Sequence, residues 1–88
     1  SAESPALTAG MQVQAGAFRS LEFAQRRAAE LNAALVAAVV AGEFSVVTVD
    51  LNGAPLYRVR SRPHARAEAD ALLVLVRSVV AEAALVNG

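Results

Sequence analysis

From Met11 to Phe18 the order MQVQAGAF sets polar Gln12 and Gln14 between apolar Met11, Val13 and Ala15, the two-residue period of a half-buried strand. Gly16, near the end of this run, permits a bulge or a close helix approach. Ser20 can cap the next segment, in which Leu21, Ala24, Ala28, Leu31 and Leu35 recur at spacings of three and four. That spacing predicts a helix ending by Gly42, a residue suited to closing it. Phe44 to Leu51 is rich in β-branched residues, Asn52-Gly53 is a strong hairpin signal, and Leu56 to Arg62 alternates again. With Val47, Val49, Leu51, Tyr57 and Val59 taken as facing the core, Thr48, Asp50, Arg58 and Arg60 fall on the opposite face. Pro63 ends the strand, and Ala69, Leu72, Leu73, Val76 and Val80 predict a second helix over Arg66 to Val80. A short fourth strand is expected at Ala83 to Val86. Strand, helix, hairpin, helix, strand is the order of an α+β domain, a four-stranded antiparallel sheet with two helices packed on one face.

Composition narrows what such a sheet could bind. The 88 residues, 56% of them hydrophobic, suffice for one core and are too few for two. Eight basic residues, all arginine, balance eight acidic ones, so no long-range field draws the chain to nucleic acid or to an anionic membrane. Charge-based recognition must therefore be local. The absence of cysteine removes disulfides, a thiolate nucleophile and cysteine-ligated metal. The longest apolar stretch, Ala33 to Ala41, is about half of the roughly 20 residues that a membrane-spanning helix needs. Residues 1–10, opening Ser1-Ala2-Glu3-Ser4-Pro5, lack the pattern of a secretion signal and are expected to be linker from a preceding region, with residues 11–88 forming the domain.

Val13-Gln14-Ala15-Gly16-Ala17-Phe18, with Ser20, Ala24 and Leu31 after it and Tyr57-Arg58-Val59-Arg60 beyond the hairpin, closely resembles the SPOR domain, a bacterial peptidoglycan-binding module. The resemblance covers residues 11 to 86 and implies a ferredoxin-like, RNP-like βαββαβ fold. It implies a non-catalytic module that recognises glycan strands stripped of stem peptides and targets its parent protein to the wall or division septum, in the periplasm or cell envelope. It implies no cofactor. The sequence departs from the family at Arg62-Pro63-His64, where Gly-Pro-Phe is common, and at Ala65, where a capping Ser or Asp is expected.

Loss of the stem peptide exposes a lactyl carboxylate on muramic acid, and guanidinium groups meet carboxylates with paired charge-assisted hydrogen bonds. Arg58 and Arg60 are the candidates for that contact, Gln12 and Gln14 for the amide groups of the sugars, and Thr48 and Arg62 complete the expected glycan-binding set. In this fold the first and third strands are central neighbours, which gathers the glutamines and arginines. His64, alone beside a proline, reads as a surface residue.

Three other functions compete. The run from Val13 to Arg19 also looks like the phosphate-cradling turn of acylphosphatase, but the third strand offers no water-orienting asparagine. Nucleic-acid binding would need strand aromatics on the open face, and Phe18, Phe23, Phe44 and Tyr57 fall mostly at core or helix positions. The main alternative is a ferredoxin-like protein-interaction or dimerisation domain that self-associates through the apolar end of the first helix at Val36, Val39 and Val40.

Overall fold

Asn52 and Gly53 take left-handed backbone angles, φ 55° and 84°, and this two-residue turn sets the register of the two strands that it joins. The computed structural model describes residues 10–35 and 43–87. In chain order these form β1 (Met11–Phe18), α1 (Leu21–Ala34), β2 (Phe44–Leu51), β3 (Ala54–Ser61), α2 (Arg66–Arg77) and β4 (Ala84–Asn87). The strands lie in the order β2-β3-β1-β4, every neighbouring pair antiparallel, with β1 and β3 at the centre. The expected architecture is therefore present. The linker expected over residues 1–10 lies, apart from Gly10, outside the described residues, as does the apolar end of the first helix at Val36, Val39 and Val40.

The core lies between one face of the sheet and the two helices. Val13, Ala15 and Val59 from the central strands, Ala24 and Leu31 from α1, and Val76 from α2 are completely buried. Alanines at positions 24 and 28 let α1 approach the strands, while Leu31 fills the space one turn further on. Ser20 caps α1 as its position predicts, accepting a hydrogen bond from the Phe23 amide. Asn32, also on α1, ties the helix to the start of β2 by donating to the Phe44 carbonyl and accepting from the Phe44 amide, at 3.1 and 2.9 Å. Ala65 precedes α2 with no side-chain cap, as expected, and that helix ends at Arg77, three residues before the periodicity suggests. Ser78 closes it through hydrogen bonds from both its amide and its hydroxyl to the Leu75 carbonyl.

The hairpin corrects the expected assignment of faces. The turn pairs Leu51 with Ala54, and from there Val49 faces Leu56, Val47 faces Arg58 and Ser45 faces Arg60. Directly opposed residues point to the same side of a sheet, so Val47, Val49 and Leu51 share the face of the arginines instead of the core. Val46, opposite the buried Val59, takes the inward position, and Thr48 lies opposite Tyr57 on the helix side.

A second irregularity shapes β1. Its register with β3 passes from Gln14/Arg60 to Ala17/Arg58, so three steps along β1 match two along β3, which defines a β-bulge. Gly16 lies inside it at φ 122°, a backbone conformation that a side chain would strain. The bulge reverses the alternation of faces. Gln12 and Gln14 before it and Ala17 after it lie on the open side, while Val13, Ala15 and Phe18 face the helices.

Candidate functional site

The open face is built from Gln12, Gln14 and Ala17 of β1 between Arg58 and Arg60 of β3 and the register partners Ala84 and Val86 of β4. Gln14 stands opposite Arg60, whose Nε donates to the Gln14 Oε1 at 2.9 Å. A guanidinium has no acceptor, so this contact fixes the amide orientation and leaves the Gln14 Nε2 hydrogens free to donate. Gln12 is oriented the other way: its Nε2 donates to the Ser61 carbonyl at 2.8 Å, which leaves its Oε1 to accept. Arg58 lies between Ala17 on one side and Val47 on the other, and the small Ala17 side chain leaves space beside it.

Among the described residues the charge here has no ion-pair partner. The ion pairs among the described residues are Arg26 with Glu22, Arg66 with Asp70, and His64 with Glu43 and Glu68, so no carboxylate lies within ion-pair distance of Arg58 or Arg60. Burial, and then the like charge of Arg58, hold the Arg60 guanidinium below its ordinary pKa. Both effects favour an incoming anion, because an anion would offset the repulsion and replace lost hydration.

Four of the six expected site residues thus come together: Gln12, Gln14, Arg58 and Arg60. Thr48 is a correction, since the hairpin register places it on the helix side of the sheet. Arg62 is exposed beyond the end of β3, where its amide donates to the Glu43 backbone and carboxylate oxygens. His64 is a second correction. Its Nε2 lies 2.7 Å from Oε2 of Glu43, a carboxylate only 4% exposed, and its backbone exchanges two hydrogen bonds with Met11. The residue therefore joins the altered Arg62-Pro63-His64 segment to β1 and to the start of β2. Among the described residues no cluster of His, Cys, Asp or Glu is arranged to hold a metal ion.

Sequence reasoning missed the apolar part of this face. Val47 and Leu51 are exposed, and Val49 and Leu56 half-buried, in a strip running from Arg58 towards the turn. The signal was available in the two-residue turn, which fixes which residues oppose Arg58 and Arg60.

The family model of the SPOR domain matches residues 9–85. The chain belongs to the SPOR family. Among solved structures, the SPOR domain of RlpA from Pseudomonas aeruginosa is similar, at 27% sequence identity and a TM-score of 0.61, over 90% of this chain and 100% of that one. No curated protein matches the chain. The SPOR domain is a peptidoglycan-binding module and not a catalytic one, and its fold is the two-helix, four-stranded arrangement described above.

Proposed function

We propose that this SPOR domain binds glycan strands of peptidoglycan from which the stem peptides have been removed, and so carries its parent protein to the cell wall at the division septum, in the periplasm or cell envelope. The observation that supports this reading most is the Arg58 and Arg60 pair on the open face, Arg60 held by its hydrogen bond to Gln14 and neither arginine with a carboxylate partner among the described residues. Amide cleavage between muramic acid and its first amino acid turns a neutral amide into a carboxylate. A donor-rich face distinguishes these two states, since a carboxylate accepts from two guanidinium nitrogens at once. Gln14 Nε2 supplies a further donor for an acetamido carbonyl, and Gln12 Oε1 accepts from an acetamido N–H. Arg62 extends the positive edge at the end of β3. The strip from Val47 to Leu56 offers apolar contact for sugar C–H faces and acetyl methyl groups where an aromatic platform is lacking.

Co-sedimentation of the chain with purified sacculi, before and after an amidase has removed the stem peptides, tests this reading. Retention should rise on the stripped sacculi and fall again when the lactyl carboxylates are converted to neutral amides. Equal retention on stripped and unstripped walls would refute recognition of the exposed carboxylate.

A further inference from the structure

A bulged residue leaves backbone groups that the neighbouring strands do not pair, and a stable bulge needs another partner for them. Ala15 and Gly16 have Cα partners neither in β3, whose register jumps across them, nor in β4, whose pairing stops at Gln14/Ala84. Arg27 of α1 meets the bulge from the helix side. Its Nη1 donates to the Ala15 carbonyl at 2.9 Å, and its guanidinium carbon lies 5.2 Å from the centroid of the Phe18 ring. Gly16 provides the space, because a Cβ there would stand 3.0 Å from the Phe18 ring and 3.2 Å from Arg27 Nη1. The neighbouring Arg26 pairs with Glu22, whereas Arg27 has no carboxylate within ion-pair distance among the described residues.

We propose that Arg27 is a positioning residue for the binding face: from the opposite side of the sheet it locks the β1 bulge that keeps Gln14 opposite Arg60 and so aims the Arg60 guanidinium. The bulge alone lets Gln14 and Ala17 share the open face while Phe18 packs inward. A regular strand would send either Gln14 or Phe18 to the wrong side. The proposal deepens the glycan reading above and rests on it.

The test compares the parent with Arg27→Met, which keeps the apolar stem and removes the donor, and with Arg27→Lys, which keeps one donor without the planar stack. Affinity for soluble peptide-free glycan oligomers is measured by calorimetry at a temperature where circular dichroism shows each variant folded. The Arg60 Nε–H resonance is followed by NMR in the absence of glycan, a readout that general loss of stability does not move. Arg27→Met should weaken binding about ten-fold, the effect of losing one charge-assisted hydrogen bond, and should shift or broaden the Arg60 signal. Arg27→Lys should recover part of both. Parent affinity and an unmoved Arg60 signal in Arg27→Met would overturn the proposal while leaving the glycan reading intact. Should Arg27→Met not fold, the same readouts on Arg27→Lys decide, with parent values in both overturning the proposal. A parent chain that binds no glycan would overturn the glycan reading and this proposal with it.

Discussion

Replacing Arg58 and Arg60 together by alanine is expected to lower affinity for peptide-free glycan by about 100-fold or more, since in the proposed contact each guanidinium would contribute at least one charge-assisted hydrogen bond to a carboxylate. The fold should survive, because both side chains leave the open face of β3 and neither belongs to the core. Removing two neighbouring like charges also relieves a repulsion, so the change in unfolding free energy should stay within about 1 kcal/mol. Calorimetric titration with glycan oligomers and urea unfolding of the same preparations separate the two effects. Arg66→Ala is the control, since this exposed residue pairs with Asp70 on α2, and it should bind as the parent does. A double variant with parent affinity would remove the arginines from the binding mechanism.

Leu31→Ala should have the largest effect on stability. Leu31 is completely buried where α1 meets the sheet, among Val13, Ala28, Leu35 and Phe44 of the core. Truncation there removes apolar contact and leaves a cavity that packed β-strands close poorly, at a cost of about 3 kcal/mol. In a chain of this size that loss lowers the melting midpoint by roughly 15 °C. Val74→Ala provides the contrast: Val74 is 71% exposed on the outer side of α2, and its truncation should cost less than about 0.5 kcal/mol. Similar losses at the two positions, measured by urea and thermal unfolding, would contradict the side of the helices assigned to the core.

How much of this could be read from sequence depended on how many patterns each segment satisfied. The helix faces were legible because Ala24, Ala28 and Leu31 on one helix and Ala69, Leu72 and Val76 on the other form buried stripes, although Leu21, expected to begin the first stripe, is exposed. The turn at Asn52-Gly53, the cap at Ser20 and the bulge at Gly16 were legible because each needs a particular residue type. In β2 the pattern failed. Val46, Val47 and Val49 place apolar side chains at both parities, so alternation alone could not choose a face, and Thr48 was assigned to the wrong one. Only counting outward from the turn resolves it.

The grouping of the polar candidate residues was legible because Gln12 and Gln14 lie two residues apart on one strand, and Arg58 and Arg60 two apart on another that the fold makes its neighbour. The side chains that hold the site in place were not. Arg27 and Glu43 act across 12 and 19 residues of sequence, on the Ala15 carbonyl and the Arg62 amide, and nothing local in either segment announces its partner. His64 was misread for the same reason, since the Glu43 carboxylate lies 21 residues away.

The most direct test of the binding face is an NMR titration of the chain with soluble peptide-free glycan, following backbone amides and the side-chain signals of glutamine and arginine. Shifts are expected to concentrate at Gln12, Gln14, Ala17, Arg58 and Arg60, with those of Val74 and Leu75 on α2 and of Val79 just beyond it unmoved. Shifts gathered on α2, with the β1 and β3 signals unchanged, would contradict it.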